Sequence, residues 1–325
     1  HPAFVLERVA GPREVEMSFR GGVMDDYFPG ATVEVFDHED RPHLGRVVER
    51  AGENAFGKIW RISLGEPADR LVAGDVGRWA FPAAEEIDGC IHTDACDDLS
   101  AVAAALAAFD ELGRRTPTQP VRLLFTRAEE IGFLGAIAAV REKTMPRESR
   151  VIALENSRSF PDSPIGAGPI VRVGDRLSVF SPTLTAAISR RAELLGGAAT
   201  PTATQKIEAR KWAWQRKLMS GGACEASVYY DAGYEATCVC LALGNYHNMG
   251  DLTAVQAKTN TSPATVAREY VSLADYDGLV DLLVACGEEL PEGGAVRPVL
   301  DKIWNENAPS AGYLSNPEHK SAHEP

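Results

Sequence analysis

The chain has 325 residues, enough for two domains or for one large core carrying an insertion. Its 45% hydrophobic and 24% charged residues are ordinary for a globular protein, and a formal net charge of -13 argues against a nucleic acid partner, which needs a basic footprint. No uncharged apolar run approaches the ~20 residues that cross a bilayer, so no membrane partner is expected. The opening His1-Pro2-Ala3-Phe4-Val5-Leu6 lacks the basic start and long apolar core of a signal peptide.

In chain order, residues 31–36, 45–48 and 58–64 alternate apolar and polar side chains. Turn formers punctuate them: Pro29-Gly30, His38-Glu39-Asp40 and Gly52-Glu53-Asn54. This pattern predicts a small β-barrel or sandwich, with residues 76–81 as its last strand and residues 82–88 as a linker.

From about Cys90 the pattern changes. Residues 99–112 form an alanine-rich helical stretch ended by Gly113. A strand is expected at 121–125, a helix at 131–143, a strand at 151–154 and a helix at 181–195 closed by Gly196-Gly197. Residues 212–219 lead into Ser220-Gly221-Gly222 and a further helix. A strand at 237–243 enters Gly244-Asn245-Tyr246-His247, and a long helix is expected over 263–286. Alternating strands and helices predict an α/β fold, a mainly parallel sheet with helices on both faces. The tail from residue 308 is polar and expected to be mobile, with His319 and His323 as exposed spectators.

The six cysteines, Cys90, Cys96, Cys224, Cys238, Cys240 and Cys286, show neither a disulfide framework nor a Cys-x-x-Cys zinc spacing. Reduced, buried thiols and a cytoplasmic location are expected, with Cys238-Val239-Cys240 as plain core.

Four strand ends or helix starts carry ligand-type side chains. His92-Thr93-Asp94-Ala95-Cys96-Asp97-Asp98 precedes the alanine-rich helix, Glu129-Glu130 ends the strand at 121–125, Glu155 ends the next, and His247 follows the last. Each has a bland reading: a helix cap and dipole partner for the acid pairs, an ion pair for Glu155, a loop hydrogen bond for His247. Recurring on one edge of one sheet, where ligands of open α/β folds collect, they point to hydrolytic chemistry. Carboxylates with imidazole suit zinc, cobalt or manganese. In Glu129-Glu130, one carboxylate is placed to bind a cation and the other to move a proton.

Asp97-Asp98-Leu99-Ser100-Ala101-Val102, followed by Glu129-Glu130-Ile131-Gly132-Phe133-Leu134-Gly135-Ala136, resembles the co-catalytic metallo-aminopeptidases of the glutamyl or deblocking type, the tetrahedral aminopeptidases. Gly74-Asp75-Val76, Val151-Ile152-Ala153-Leu154-Glu155, Gly166-Ala167-Gly168-Pro169-Ile170-Val171, Gly221-Gly222-Ala223-Cys224-Glu225-Ala226 and Tyr246-His247 fit the same pattern, across about residues 1 to 250. The resemblance implies an α/β peptidase domain (residues 1–9 and 88–307) interrupted by a β-barrel-like domain (10–87). It implies two divalent metal ions, with Asp97 bridging them, Glu130 and His247 on one, Glu155 on the other, and Glu129 as general base. It also implies short peptide substrates and a homo-oligomer, commonly a dodecamer.

The sequence departs from that pattern in places. Glu155 and Glu225 stand where aspartate is usual, and Leu99 stands where a polar residue is common. The family's first metal histidine aligns just upstream of residue 1, leaving His1 and His92 as minor alternatives. A catalytically silent member that binds or assembles is therefore the second reading. A glycoside hydrolase is weaker, because adjacent glutamates do not give the opposed carboxylates, ~5–9 Å apart, that such cleavage uses.

Overall fold

The computed structural model describes residues 2–115, 120–200, 212–291 and 296–307. His1 and the tail from residue 308 lie outside the described residues.

The first third closes into a six-stranded barrel, in the order β1 (Ala3–Gly11), β2 (Glu14–Arg20), β5 (Gly57–Leu64), β4 (Pro42–Asn54), β3 (Thr32–Phe36), β6 (Val76–Trp79). The alternating segments became β3 to β6. The segment at residues 3–9, expected in the α/β domain, is instead most of β1, which closes the barrel against β6. Its side chains explain why: Phe4 and Leu6 point inward and are buried with Phe19, Phe28, Trp60 and Trp79. Phe28 stacks on Trp60 with centroids 4.1 Å apart, and Phe4 meets Trp79 edge-on at 4.8 Å. Burying each such ring contributes about 1.5–3 kcal/mol.

The barrel core continues into the second body. Met249, Leu252 and Val255 belong to the same apolar cluster, and Tyr27 Oη donates to the Gly250 carbonyl at 2.7 Å. The loop after the strand at 235–243 is thus held by the barrel.

The second body has a four-stranded sheet, β11 (Gln215–Met219), β10 (Ile170–Asp175), β12 (Glu235–Leu243), β9 (Arg150–Arg158). Two pairings are parallel, β10 with β11 and β12 with β9, but β10 runs antiparallel to β12. The expected mainly parallel sheet is therefore a mixed one. Alternate residues of β12 face opposite sides. Val239, Leu241 and Leu243 meet α1 (Cys96–Gly113), α3 (Pro182–Gly196) and α6 (Leu273–Glu288), while Cys238, Cys240 and Ala242 face α4 (Glu225–Asp231). Burial on both faces accounts for the unbroken apolar run in this strand.

Two expected elements differ. Residues 121–125 run without ladder partners among the described residues, with Leu124 and Phe125 exposed. They line the same cleft as β9 instead of pairing with its edge. An apolar run specifies a wish for burial but no hydrogen-bonding partner. The long helix expected over 263–286 is two elements: β13 (Glu269–Ser272), antiparallel to β8 (Cys90–Thr93), and then α6. The break falls at Ser272, whose Oγ caps the helix by accepting from the Asp275 N–H at 3.3 Å. The expected linker contributes β7 (Glu85–Ile87), the third strand of that small sheet.

Candidate metal centre

Three chain reversals bring the ligand-type residues together. Asp97 sits between β8 and the regular part of α1. It and Asp98 have non-helical backbone angles, and the Asp97–Asp98 peptide is cis. Its N–H donates to Glu269 Oε2 on β13 at 2.9 Å. Glu129 and Glu130 lie on one helical turn bounded by left-handed residues, Ala128 before and Gly132 and Phe133 after, leading to α2 (Leu134–Arg141). His247 lies in a turn after β12 in which Asn245, His247 and Asn248 all have positive φ. Asn248 Nδ2 fixes that turn by donating to the Asp94 and Ala267 carbonyls.

One ligand atom each from Asp97, Glu130 and His247 lies within 4.8 Å of the others. His247 Nε2 is 3.3 Å from Glu130 Oε2 and 3.6 Å from Asp97 Oδ2. The other ring nitrogen, Nδ1, is 2.9 Å from the Gly22 carbonyl, which only accepts, so Nδ1 carries a proton and Nε2 is the atom left for a ligand. Gly22 belongs to the barrel side of the chain, so the barrel orients this imidazole. Tyr246 stacks on its ring at 3.8 Å.

Negative charge is crowded here. Burial, then Glu130 and Asp97, pushes the Glu129 carboxyl up to about 8. Glu130 is raised by burial, with His247 opposing. Asp98 rises to about 6 from burial and Asp97, and Glu269 to about 8 from the same causes. For His247 burial acts downward, but Asp97 and Glu130 outweigh it and bring the imidazole to about 9. Carboxylates that repel one another around a single imidazole form a donor set that a divalent cation would relieve. The residues fit one such ion.

Glu155 falls in a different group. Its carboxylate gathers with the thiols of Cys224 and Cys238, not with Asp97. His92 stacks on Tyr270 at 4.8 Å in the small sheet and joins neither group. Sequence reasoning missed Glu269 and Gly22. Nothing local marks either one, since each acts through a contact distant in sequence. Glu225 was noticed only as a departure. It accepts from Thr126 Oγ1 at 2.5 Å and adds to the charge around Glu129. All these acids except Glu269 line one cleft of 2270 Å³ with His247.

Residues 69–299 match the peptidase family M20/M25/M40. The chain belongs to that family. Solved structures agree on the fold. The TET1 peptidase of Pyrococcus horikoshii, which can assemble into a tetrahedron or a large octahedral shell, is 18% identical with a TM-score of 0.69, over 89% of this chain and 81% of that one. An aminopeptidase of Desulfurococcus kamchatkensis is 18% identical with a TM-score of 0.66, over 89% and 76%. A protein of Thermotoga maritima described as an endoglucanase also matches, at 16% identity and a TM-score of 0.55, over 89% and 77%. Identities this low establish the fold, and the differing descriptions show why the site must carry the function. No curated protein matches the chain. As an M20/M25/M40 peptidase, the chain has a family setting in which the Asp97, Glu130 and His247 cluster acquires a chemical purpose. No helix among its described residues is long and apolar enough to cross a membrane.

Proposed function

We propose that this peptidase is a metal-dependent aminopeptidase that removes amino-terminal residues from short peptides, working as a cytoplasmic homo-oligomer. The observation that carries the reading is the meeting of Asp97, Glu130 and His247 within 4.8 Å, on the cleft that Glu129 also lines. Asp97, Glu130 and His247 Nε2 would hold one divalent cation, zinc, cobalt or manganese by the character of the donors. Glu155 would carry a second, an assignment that rests, like the sharing of Asp97 between the two, on the resemblance. The chemistry such ions supply is polarisation of a peptide carbonyl and acidification of water.

The remaining work belongs to the chain. Glu129 takes a proton from the attacking water and delivers it to the departing amine. Its carboxyl, near 8 among its acidic neighbours, falls towards neutrality when cationic charge enters the cluster, which suits a group that must both accept and release a proton at neutral pH.

The test is Glu129→Gln. Metal content measured by elemental analysis stays at the wild-type value, and turnover of a short peptide falls by about 10²–10⁴. Unchanged turnover overturns the role. The grouping of Glu155 with Cys224 and Cys238 favours a second reading, a silent member that binds without cleaving. That reading predicts no turnover in the wild-type chain with its cation bound.

A further inference from the structure

The pocket around Glu155 holds more than a core needs. Three separate elements build it: Glu155 comes from β9, Cys224 from the residue before α4, and Cys238 from β12. One ligand atom from each lies within 4.8 Å of the other two. Cys224 and Cys238 are 1% and 0% exposed. Their backbones are fixed, Cys224 by donating its N–H to Asp175 Oδ2 at 3.0 Å, and Cys238 by pairing with Ala153 on one side and Arg172 on the other. Ser157 Oγ donates to Glu155 Oε1 at 2.7 Å, the kind of contact that orients a ligating carboxylate.

A buried cationic side chain lies beside the pocket. Arg172 is buried beside these groups, 4% exposed, with its Nε donating to Cys240 Sγ at 3.1 Å. A buried guanidinium requires negative charge nearby. A plain apolar core explains the cysteines but neither the carboxylate nor the guanidinium set among them.

We propose that Glu155, Cys224 and Cys238 form a binding site for a thiophilic divalent cation of the zinc class, distinct from the Asp97, Glu130 and His247 set. Two thiolates and a carboxylate suit a borderline-soft ion in tetrahedral coordination. Glu155, Cys224 and Met219 all line the cleft, which gives an ion a route to this pocket. The proposal gives the cation assigned to Glu155 its remaining ligands. In that respect it rests on the proposed function, while the geometry that carries it is this pocket's own.

Cobalt(II) added to the metal-stripped full chain is the probe. A near-ultraviolet sulfur-to-cobalt charge-transfer band should appear in the wild type and in His247→Ala, and in His247→Ala it should saturate at a single ion per chain. It should be absent in Cys224→Ser and Cys238→Ser. Because removal of a buried thiol can also disturb folding, X-ray absorption of the zinc-loaded wild type supplies a second reading, with sulfur neighbours at about 2.3 Å. Nitrogen and oxygen neighbours alone, with no charge-transfer band, overturn the site. The peptidase reading fails separately: a band in a chain without peptidase activity keeps this site, and activity without a band removes it.

Discussion

The Asp97 N–H donates to Glu269 Oε2 at 2.9 Å across 172 positions of sequence, so β13 holds the Asp97 backbone in place. Glu269 is fully buried and its carboxyl is raised to about 8, first by burial and then by Asp97. On the proposed metal reading it would act through Asp97, as a positioning residue. Glu269→Ala should weaken cation affinity by about 10–100-fold, with kcat/KM falling in step. Glu269→Gln keeps an acceptor oxygen and should retain most of the affinity. Competition against a chelating dye measures both. Equal affinity in the alanine variant and the wild type would defeat the assignment.

The crowded acids make the metal-free chain sensitive to alkali. Asp98, Glu129, Glu269 and His247 are raised to about 6, 8, 8 and 9 in the fold. Each folded value exceeds its ordinary one, so the native state binds more protons than the unfolded chain. Their contribution is fully present below the unfolded values and is lost as pH rises through 6 to 9. In chelator, Tm should therefore fall steadily across that interval. With a divalent cation present the fall should vanish, because ligand protons are displaced and affinity rises by about tenfold per pH unit for each proton released. Thermal scans with and without cation decide it, and a metal-free Tm that rises with pH would contradict the electrostatic account.

What the sequence could reveal follows from which physical signals are local. The strand ending at Leu243 and the helix following Ser181 were readable because burial pattern and capping residues lie within them. Asp97, Glu130 and His247 were readable as a group because a resemblance supplied their order. Residues 121–125 misled, since apolarity does not say whether an edge is available for pairing. β2 is missing from the expected elements although Val15, Met17 and Phe19 alternate with Glu16 and Ser18 as in a strand, and the structure buries both sets. Glu269 was hidden inside an apparent helix. The thiol neighbours of Glu155 were invisible for a related reason: Cys224 and Cys238 meet only after α4 folds over β12.

A separate electrostatic lock sits in the barrel. Asp37 Oδ2 accepts from Arg70 Nε at 2.8 Å and lies 3.1 Å from His43 Nε2, while Oδ1 accepts the N–H groups of Glu39 and Arg41. The Arg70 guanidinium holds this carboxyl well below the usual carboxylate range, against the opposing effect of burial. A depressed folded value gives stability that is present above the unfolded value of 3.8 and lost as pH falls through the folded one. Asp37→Asn should lower Tm by several degrees at neutral pH and flatten the acid limb of the Tm profile. An acid limb identical to the wild type would remove Asp37 from that role.

Asp275 organises the loop that precedes β10. Its two carboxylate oxygens accept the N–H groups of Gly166 and Gly168, both at 2.7 Å. At Gly168 φ is +88°, and an added Cβ would stand 1.9 Å from the Ala213 carbonyl oxygen. The left-handed backbone alone costs a side chain about 1–3 kcal/mol. The backbone carbonyl adds to that, because no rotamer change can move it aside. Gly168→Ala should therefore lose more than about 3 kcal/mol in urea unfolding. Asp275→Asn should be milder, about 1–3 kcal/mol, since the amide can offer only one acceptor oxygen to two N–H groups and turns a donor towards the other. A Gly168→Ala chain with an unaltered urea midpoint would mean that the loop relaxes away from Ala213. The hydrogen bonds to Asp275 would then not be what fixes the Gly166–Gly168 backbone.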